Sequence, residues 1–130
     1  MEINLDMNIS SPEWTSYCLS LFQPHEMLDE SPRVDGLRRI GQMLLGPILK
    51  LSTQVIVATT NEQSPNSTVI CELSVLWNRE DILKGKVVRC CGAAESHAGN
   101  TKELYYRNSV ATSESKAESR AWRKILRLWN

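Results

Sequence analysis

The chain has 130 residues with 42% hydrophobic side chains, enough for one domain with a buried core and too few for a multidomain protein. Fifteen basic and fifteen acidic residues cancel overall, yet residues 1–32 hold six acids and no Lys or Arg, so the remainder carries +6. No run of about 18 apolar residues is present and the first residues lack the basic start and apolar stretch of a signal peptide. An intracellular location is therefore expected: cytoplasm or nucleoid, or nucleus in a eukaryote.

Taken in chain order, Ser10, Ser11 and Pro12 ahead of Trp14 predict a helix start, with the helix running to Phe22 before Pro24 and packing by Trp14, Cys18 and Leu21. Residues 1–32 are thus read as an acidic, partly helical leader. It shields a basic surface or contacts a neighbouring subunit, or it is a solubilising tail. Residues 33–130 form the core. Leu37, Ile40 and Leu44 recur at helical spacing after Pro32, and Gly46-Pro47 ends or kinks that second helix because proline lacks an amide donor. Arg38 and Arg39 fall mostly off its apolar side and are expected to add to a basic surface.

Three strands are predicted next. Residues 52–59 are rich in branched side chains; residues 68–77 alternate, with Val69, Cys71, Leu73, Val75 and Trp77 on one face; residues 86–93 make the third. Polar, glycine-containing residues 95–108 read as a loop. Two roles are open for it: closing over a strand of nucleic acid, with Tyr105 or Tyr106 stacking on a base and Arg107 pairing with phosphate, or packing its tyrosine rings on the sheet.

The last nineteen residues predict a helix with a divided surface. At about 100° per residue, Lys116, Arg120, Arg123, Lys124 and Arg127 share one arc, while Ala117, Ala121, Trp122, Ile125, Leu126, Leu128 and Trp129 fill the other side. Ser115 and Glu118 fit a capping box. Only Glu118 opposes the cations between 116 and 127, unlike the alternating pattern of a salt-bridged surface helix. A stripe of this kind holds a polyanion by displacing condensed counterions. The helix dipole also favours cations at a C-terminal end, a reason that needs no ligand. The expected fold class is α+β: an N-terminal helix, a three-stranded antiparallel sheet and a long basic amphipathic C-terminal helix packed on it.

Catalysis is not expected. The chain has no Walker-type glycine loop and no serine elbow, and His25 and His97 are scattered. Cys18, Cys71, Cys90 and Cys91 match no zinc spacing, and the neighbours Cys90 and Cys91 point to opposite faces of a strand, so four thiols and no metal or cofactor are expected.

The segment from Asn108 through Thr112, Lys116, Glu118, Arg120, Arg123, Lys124 and Arg127 resembles the signature helix of the Rad-fifty-two-like single-strand annealing proteins, in which an Ala/Glu/Arg-rich stretch ends in paired cations, apolar residues and another cation. With the strand order ahead of it, the resemblance covers roughly residues 34–130. It implies a protein that needs no ATP, assembles into a ring or filament, and lays single-stranded DNA between helix and sheet so that a complementary strand can pair in recombination or repair. Arg123 and Lys124 would correspond to the family's cation pair and Arg127 to a further contact. Lys116, Arg120, Arg107, Arg89, Arg38 and Arg39 complete the expected nucleic-acid-binding set. A single-strand-binding protein or an exonuclease is the partner such a protein would meet, and no membrane is involved. The departures are the short chain and Trp122 and Trp129, which stand where smaller or different apolar residues are common.

Two other readings share this outline. A double-stranded RNA-binding domain has the same element order, but the Lys-Lys pair and Gly-Pro-x-His loop expected of it are missing. A non-enzymatic assembly subunit would use Trp14, Trp77, Trp122 and Trp129 as an interface.

Overall fold

Leu37, Ile40 and Leu44 are buried along one side of helix α2 (Val34–Leu44), as their spacing requires. In the computed structural model, which describes residues 8–28, 31–59, 66–97 and 109–128, this helix starts after the extended Arg33 and stops at Leu44. Gly46 then turns the chain at φ 144°, where a Cβ would lie 1.9 Å from the Leu76 carbonyl oxygen, so only glycine fits.

The element order is helix α1 (Trp14–Ser20), a 3-10 turn (Pro24–Glu26), short strands β1 (Met27–Leu28) and β2 (Ser31–Pro32), α2, strands β3 (Ile48–Thr59), β4 (Asn66–Leu76) and β5 (Val87–His97), and helix α3 (Ser109–Leu126). The long strands form an antiparallel sheet in the order β3-β4-β5, with α3 packed on one face, and β1 pairs antiparallel with β2. This is the expected α+β arrangement. Among the described residues no helix is long and apolar enough to cross a membrane.

Alternation along β4 builds the core: Val69, Cys71, Leu73 and Val75 are buried under α3, and Trp77 continues their row. Ala117, Ala121, Trp122, Ile125 and Leu126 of α3 meet them. The helix comes unusually close to the sheet at Gly92, where a Cβ would stand 2.2 Å from the Ala117 carbonyl oxygen and 2.6 Å from the Ala121 nitrogen. Across the helix pair, Gly41 of α2 makes room for the Trp122 ring.

Helix α1 belongs to the same core. Trp14 and Cys18 are buried in it, and the Trp14 indole donates to the Leu126 carbonyl at 2.6 Å, at the end of α3. Arg79 lies over the Trp14 ring, 4.7 Å from its centroid, and donates to the Leu44 carbonyl at the end of α2. The four cysteines are free thiols, and burial pushes Cys18 up to about 12 and Cys71 to about 11.

Several boundaries differ from the sequence expectation. Helix α1 is shorter at both ends, because Ser11 closes a turn onto Asn8 and accepts from Trp14 instead of capping a helix at Ser10. Strands β3 and β5 are longer: β5 takes in Glu95, Ser96 and His97, which pair with Thr68, Ser67 and Asn66. Helix α3 already begins at Ser109, so Ser115 is interior and caps nothing. Glu118 points inward and serves the neighbouring helix. Residues 98–108, with Tyr105, Tyr106 and Arg107, lie outside the described residues, as does Trp129.

The expectation that Arg38 and Arg39 widen a basic surface is corrected. Arg38 makes a two-pronged ion pair with Glu118, at 2.8 and 2.9 Å, and Arg39 does the same with Glu26, at 2.5 and 2.8 Å. Sequence periodicity put both arginines off the apolar stripe correctly, but it could not show the buried carboxylates waiting there.

The Glu26 pair gives a pH dependence with a definite sign. The Arg39 guanidinium, hydrogen-bonded to it, holds the Glu26 carboxyl at about 2 against an ordinary 4.5, with burial opposing and the Gln23 amide assisting. A depressed folded-state value means the stabilisation is full above about pH 4.5 and is lost as pH falls toward 2. Because Arg39 is 38% exposed, solvent screening reduces the contribution to about 1–2 kcal/mol. Urea unfolding of Glu26→Gln should show a smaller loss of stability between about pH 5 and about pH 2 than the parent chain, because that range spans the interval between the ordinary and the folded-state values. Equal losses would show that another carboxylate controls the acid limb.

Candidate nucleic-acid interface

The cations of α3 separate into three groups once the helix is seated. Lys116, Arg120 and Arg123 face a groove whose opposite wall is β2 and the start of α2: Ser31, Pro32, Arg33, Val34 and Asp35. Ser115 and Ser119 complete the helix side, and the groove encloses about 570 Å³. Four cations and three serine hydroxyls converge there against a single acid, Asp35.

Local geometry explains why these side chains stand where they do. Positions 116, 120 and 123 follow the three- and four-residue steps of one helix face, and the opposite face is fixed by Ala117, Ala121 and Trp122 in the core. Arg123 crosses the groove, donating to the Ser31 hydroxyl at 2.8 Å and the Pro32 carbonyl at 3.3 Å. A guanidinium has five N–H donors, so these bonds leave others for a ligand. Burial, and then the charge of Arg120, lower the Lys116 ammonium below its usual range.

The second group serves the sheet. Lys124 donates to the Cys91 carbonyl at 2.8 Å and Arg120 to the Ala93 carbonyl at 2.5 Å, both on β5, which is an edge strand. The match follows from geometry: four helical residues rise about 6.0 Å and two strand residues about 6.6 Å, and alternate carbonyls of a strand point the same way. Part of the basic stripe therefore occupies polar groups of an exposed strand, which blunts edge-to-edge pairing. Arg120 takes part in both groups.

Arg127 stands apart. It follows the last helical residue with φ 55°, the Leu128 amide reaches back to the Arg123 carbonyl at 2.9 Å, and the Arg127 amide bonds to Lys124 at 3.2 Å. These are the two bonds of a Schellman ending, with an arginine where glycine is usual. The turn takes Arg127 off the helical arc that sequence periodicity assigned to it, and it does not line the groove.

No protein-family model matches the chain, and no curated protein matches it. Chemistry at the groove therefore carries the functional argument. Arg89 lies elsewhere, on the sheet face away from α3, and Arg38 and Arg39 are held in their ion pairs. Arg33, which was absent from the sequence-predicted set, is exposed on the groove wall. Nothing in periodicity marks it, because it precedes its helix and comes to face α3 only in the folded chain.

Proposed function

We propose that the chain binds single-stranded DNA along the groove between α3 and the β2–α2 segment and promotes pairing of complementary strands. The carrying observation is the convergence of Arg33, Lys116, Arg120 and Arg123 with Ser31, Ser115 and Ser119 in one open channel. Cations supply the phosphate attraction, and hydroxyls and the remaining guanidinium N–H groups supply directed bonds. The resemblance of α3 to the annealing-protein signature supports the DNA assignment and the strand-pairing step. One subunit holding about three phosphates binds weakly and with a salt slope of about −2. Self-assembly into a ring or filament would then raise affinity through effective concentration.

The test uses labelled oligonucleotides and the variant Arg33→Glu/Lys116→Gln, with circular dichroism confirming its fold. Anisotropy titrations should give at least about tenfold weaker binding and a log–log salt slope shallower by about 1. Mixing complementary strands without nucleotide should show protein-accelerated pairing that the variant loses. Equal binding by the variant would remove the groove from the reading. Tight duplex-RNA binding without acceleration would replace strand annealing with recognition of A-form shape.

A further inference from the structure

The sheet face turned away from α3 holds a cavity of about 400 Å³ that the groove does not share. Strand register builds it: Lys50 on β3 and Arg89 on β5 are the direct partners of Ser74 on the central β4, so the three residues form one row across the sheet. The outer two backbones stand about 10 Å apart, two strand spacings, with Ser74 midway.

Ser74 is the unusual member. It is only 6% exposed although it sits on the sheet face that α3 does not cover, and among the described residues its hydroxyl has no hydrogen-bond partner. A buried hydroxyl without a partner is unfavourable and uncommon in folded proteins. Arg89 likewise makes no hydrogen bond or ion pair among the described residues. Lys50 pairs with Glu72 at 2.7 Å, but both side chains are more than half exposed, which makes the pair weak and exchangeable. Leu49 and Val87, both exposed, supply apolar surface at the rim.

We infer that Ser74, Lys50 and Arg89 form a binding site for a phosphate group, with the Ser74 hydroxyl donating from the floor and the two cations closing from the neighbouring strands. Glu72, next along β4, is the built-in competitor: it engages Lys50, and the Lys50 hydrogen bond and charge, with the Arg89 charge, hold its carboxyl below the usual range. Phosphate must displace that carboxylate from Lys50. The apolar rim favours a phosphate carried by a body with a flat or apolar surface, such as a nucleoside 5′-phosphate, over the free ion.

Nitrogen-15-resolved amide spectra of the full chain, titrated with inorganic phosphate, a nucleoside 5′-monophosphate, the unphosphorylated nucleoside and a short single-stranded oligonucleotide, test this directly. Saturable shifts centred on Lys50, Ser74 and Arg89 are expected with the phosphorylated probes and not with the nucleoside. The tighter of monophosphate and oligonucleotide identifies whether the phosphate comes from a small molecule or a strand backbone. Arg89→Gln should weaken monophosphate binding by at least about fivefold, and Glu72→Gln should strengthen it by about threefold, in line with charge-assisted bonding. Ser74→Ala should raise the melting temperature while weakening binding, a pair of opposite effects that a purely structural serine would not give. Absence of saturable shifts, or an affinity unchanged in both Arg89→Gln and Ser74→Ala, overturns the site. Because the cavity lies on the other side of the sheet from the groove, these outcomes are independent of the Arg33→Glu/Lys116→Gln result.

Discussion

Replacing Gly92 by alanine should destabilise the protein by about 3 kcal/mol, the upper end of what overpacking costs, because the new methyl meets backbone that cannot rotate away. The added Cβ would lie 2.2 Å from the Ala117 carbonyl oxygen and 2.6 Å from the Ala121 nitrogen, so α3 must move off β5. That movement also breaks the reach of Lys124 and Arg120 to the Cys91 and Ala93 carbonyls. Urea denaturation gives the size of the effect, and faster amide exchange along β5 reports the uncovered edge. Gly85→Ala is the control: nothing lies within 4 Å of its Cβ, so only the positive φ of 80° is strained, at about 1 kcal/mol. Equal losses at both positions would mean that α3 does not depend on close approach at Gly92.

Truncating Glu118 to alanine should cost a further distinct amount, about 2–3 kcal/mol. Its carboxylate, 8% exposed, accepts two bonds from Arg38 and one from the Trp122 indole at 3.1 Å, tying α2 to α3 beside the core. Removal leaves a buried indole N–H without an acceptor and a cation without its counter-charge. The estimate stays below that for a fully buried pair because the Arg38 side chain is 41% exposed and water can solvate it. Glu118→Gln should lose less, since an amide oxygen still accepts one of these bonds. A thermodynamic cycle with Arg38→Met isolates the pair, and a coupling under about 0.5 kcal/mol would show that Glu118 acts through Trp122 alone.

The divided use of the α3 cations decides which variants speak to function. Charge reversal at Lys124 disturbs the β5 edge, and reversal at Arg123 disturbs the link to β2, so weakened binding in either variant mixes structural and ligand effects. Arg33 is free of this ambiguity. Its side chain makes no hydrogen bond or ion pair among the described residues, and it faces the groove from the far wall. An electrostatic contribution to binding should therefore be cleanest at that position, and its loss should show first as a reduced salt slope.

Repetition made the elements legible in the sequence. Leu37, Ile40 and Leu44 could only share a helix face, Val69 through Val75 could only share a strand face, and the apolar side of residues 117–128 required a helix seated on something flat. The α+β class and the order of the long elements follow from such patterns, whereas the 3-10 turn and the short β1–β2 pair were not among the predicted elements. What periodicity could not supply is the partner of each polar side chain, because Arg38 and Glu118 are 80 residues apart and Arg123 and Ser31 are 92 apart. The same helical arc that reads as one stripe of five cations is split by tertiary packing among a groove, a strand edge and a helix ending. Gly92, Arg33 and Ser74 carry no local signal at all, since their importance is set by what the folded chain brings against a missing side chain, an exposed guanidinium and a buried hydroxyl. Local periodicity thus determined which long elements form and which faces they bury, whereas the three-dimensional juxtaposition of residues distant in the chain decided where each charge finds its partner.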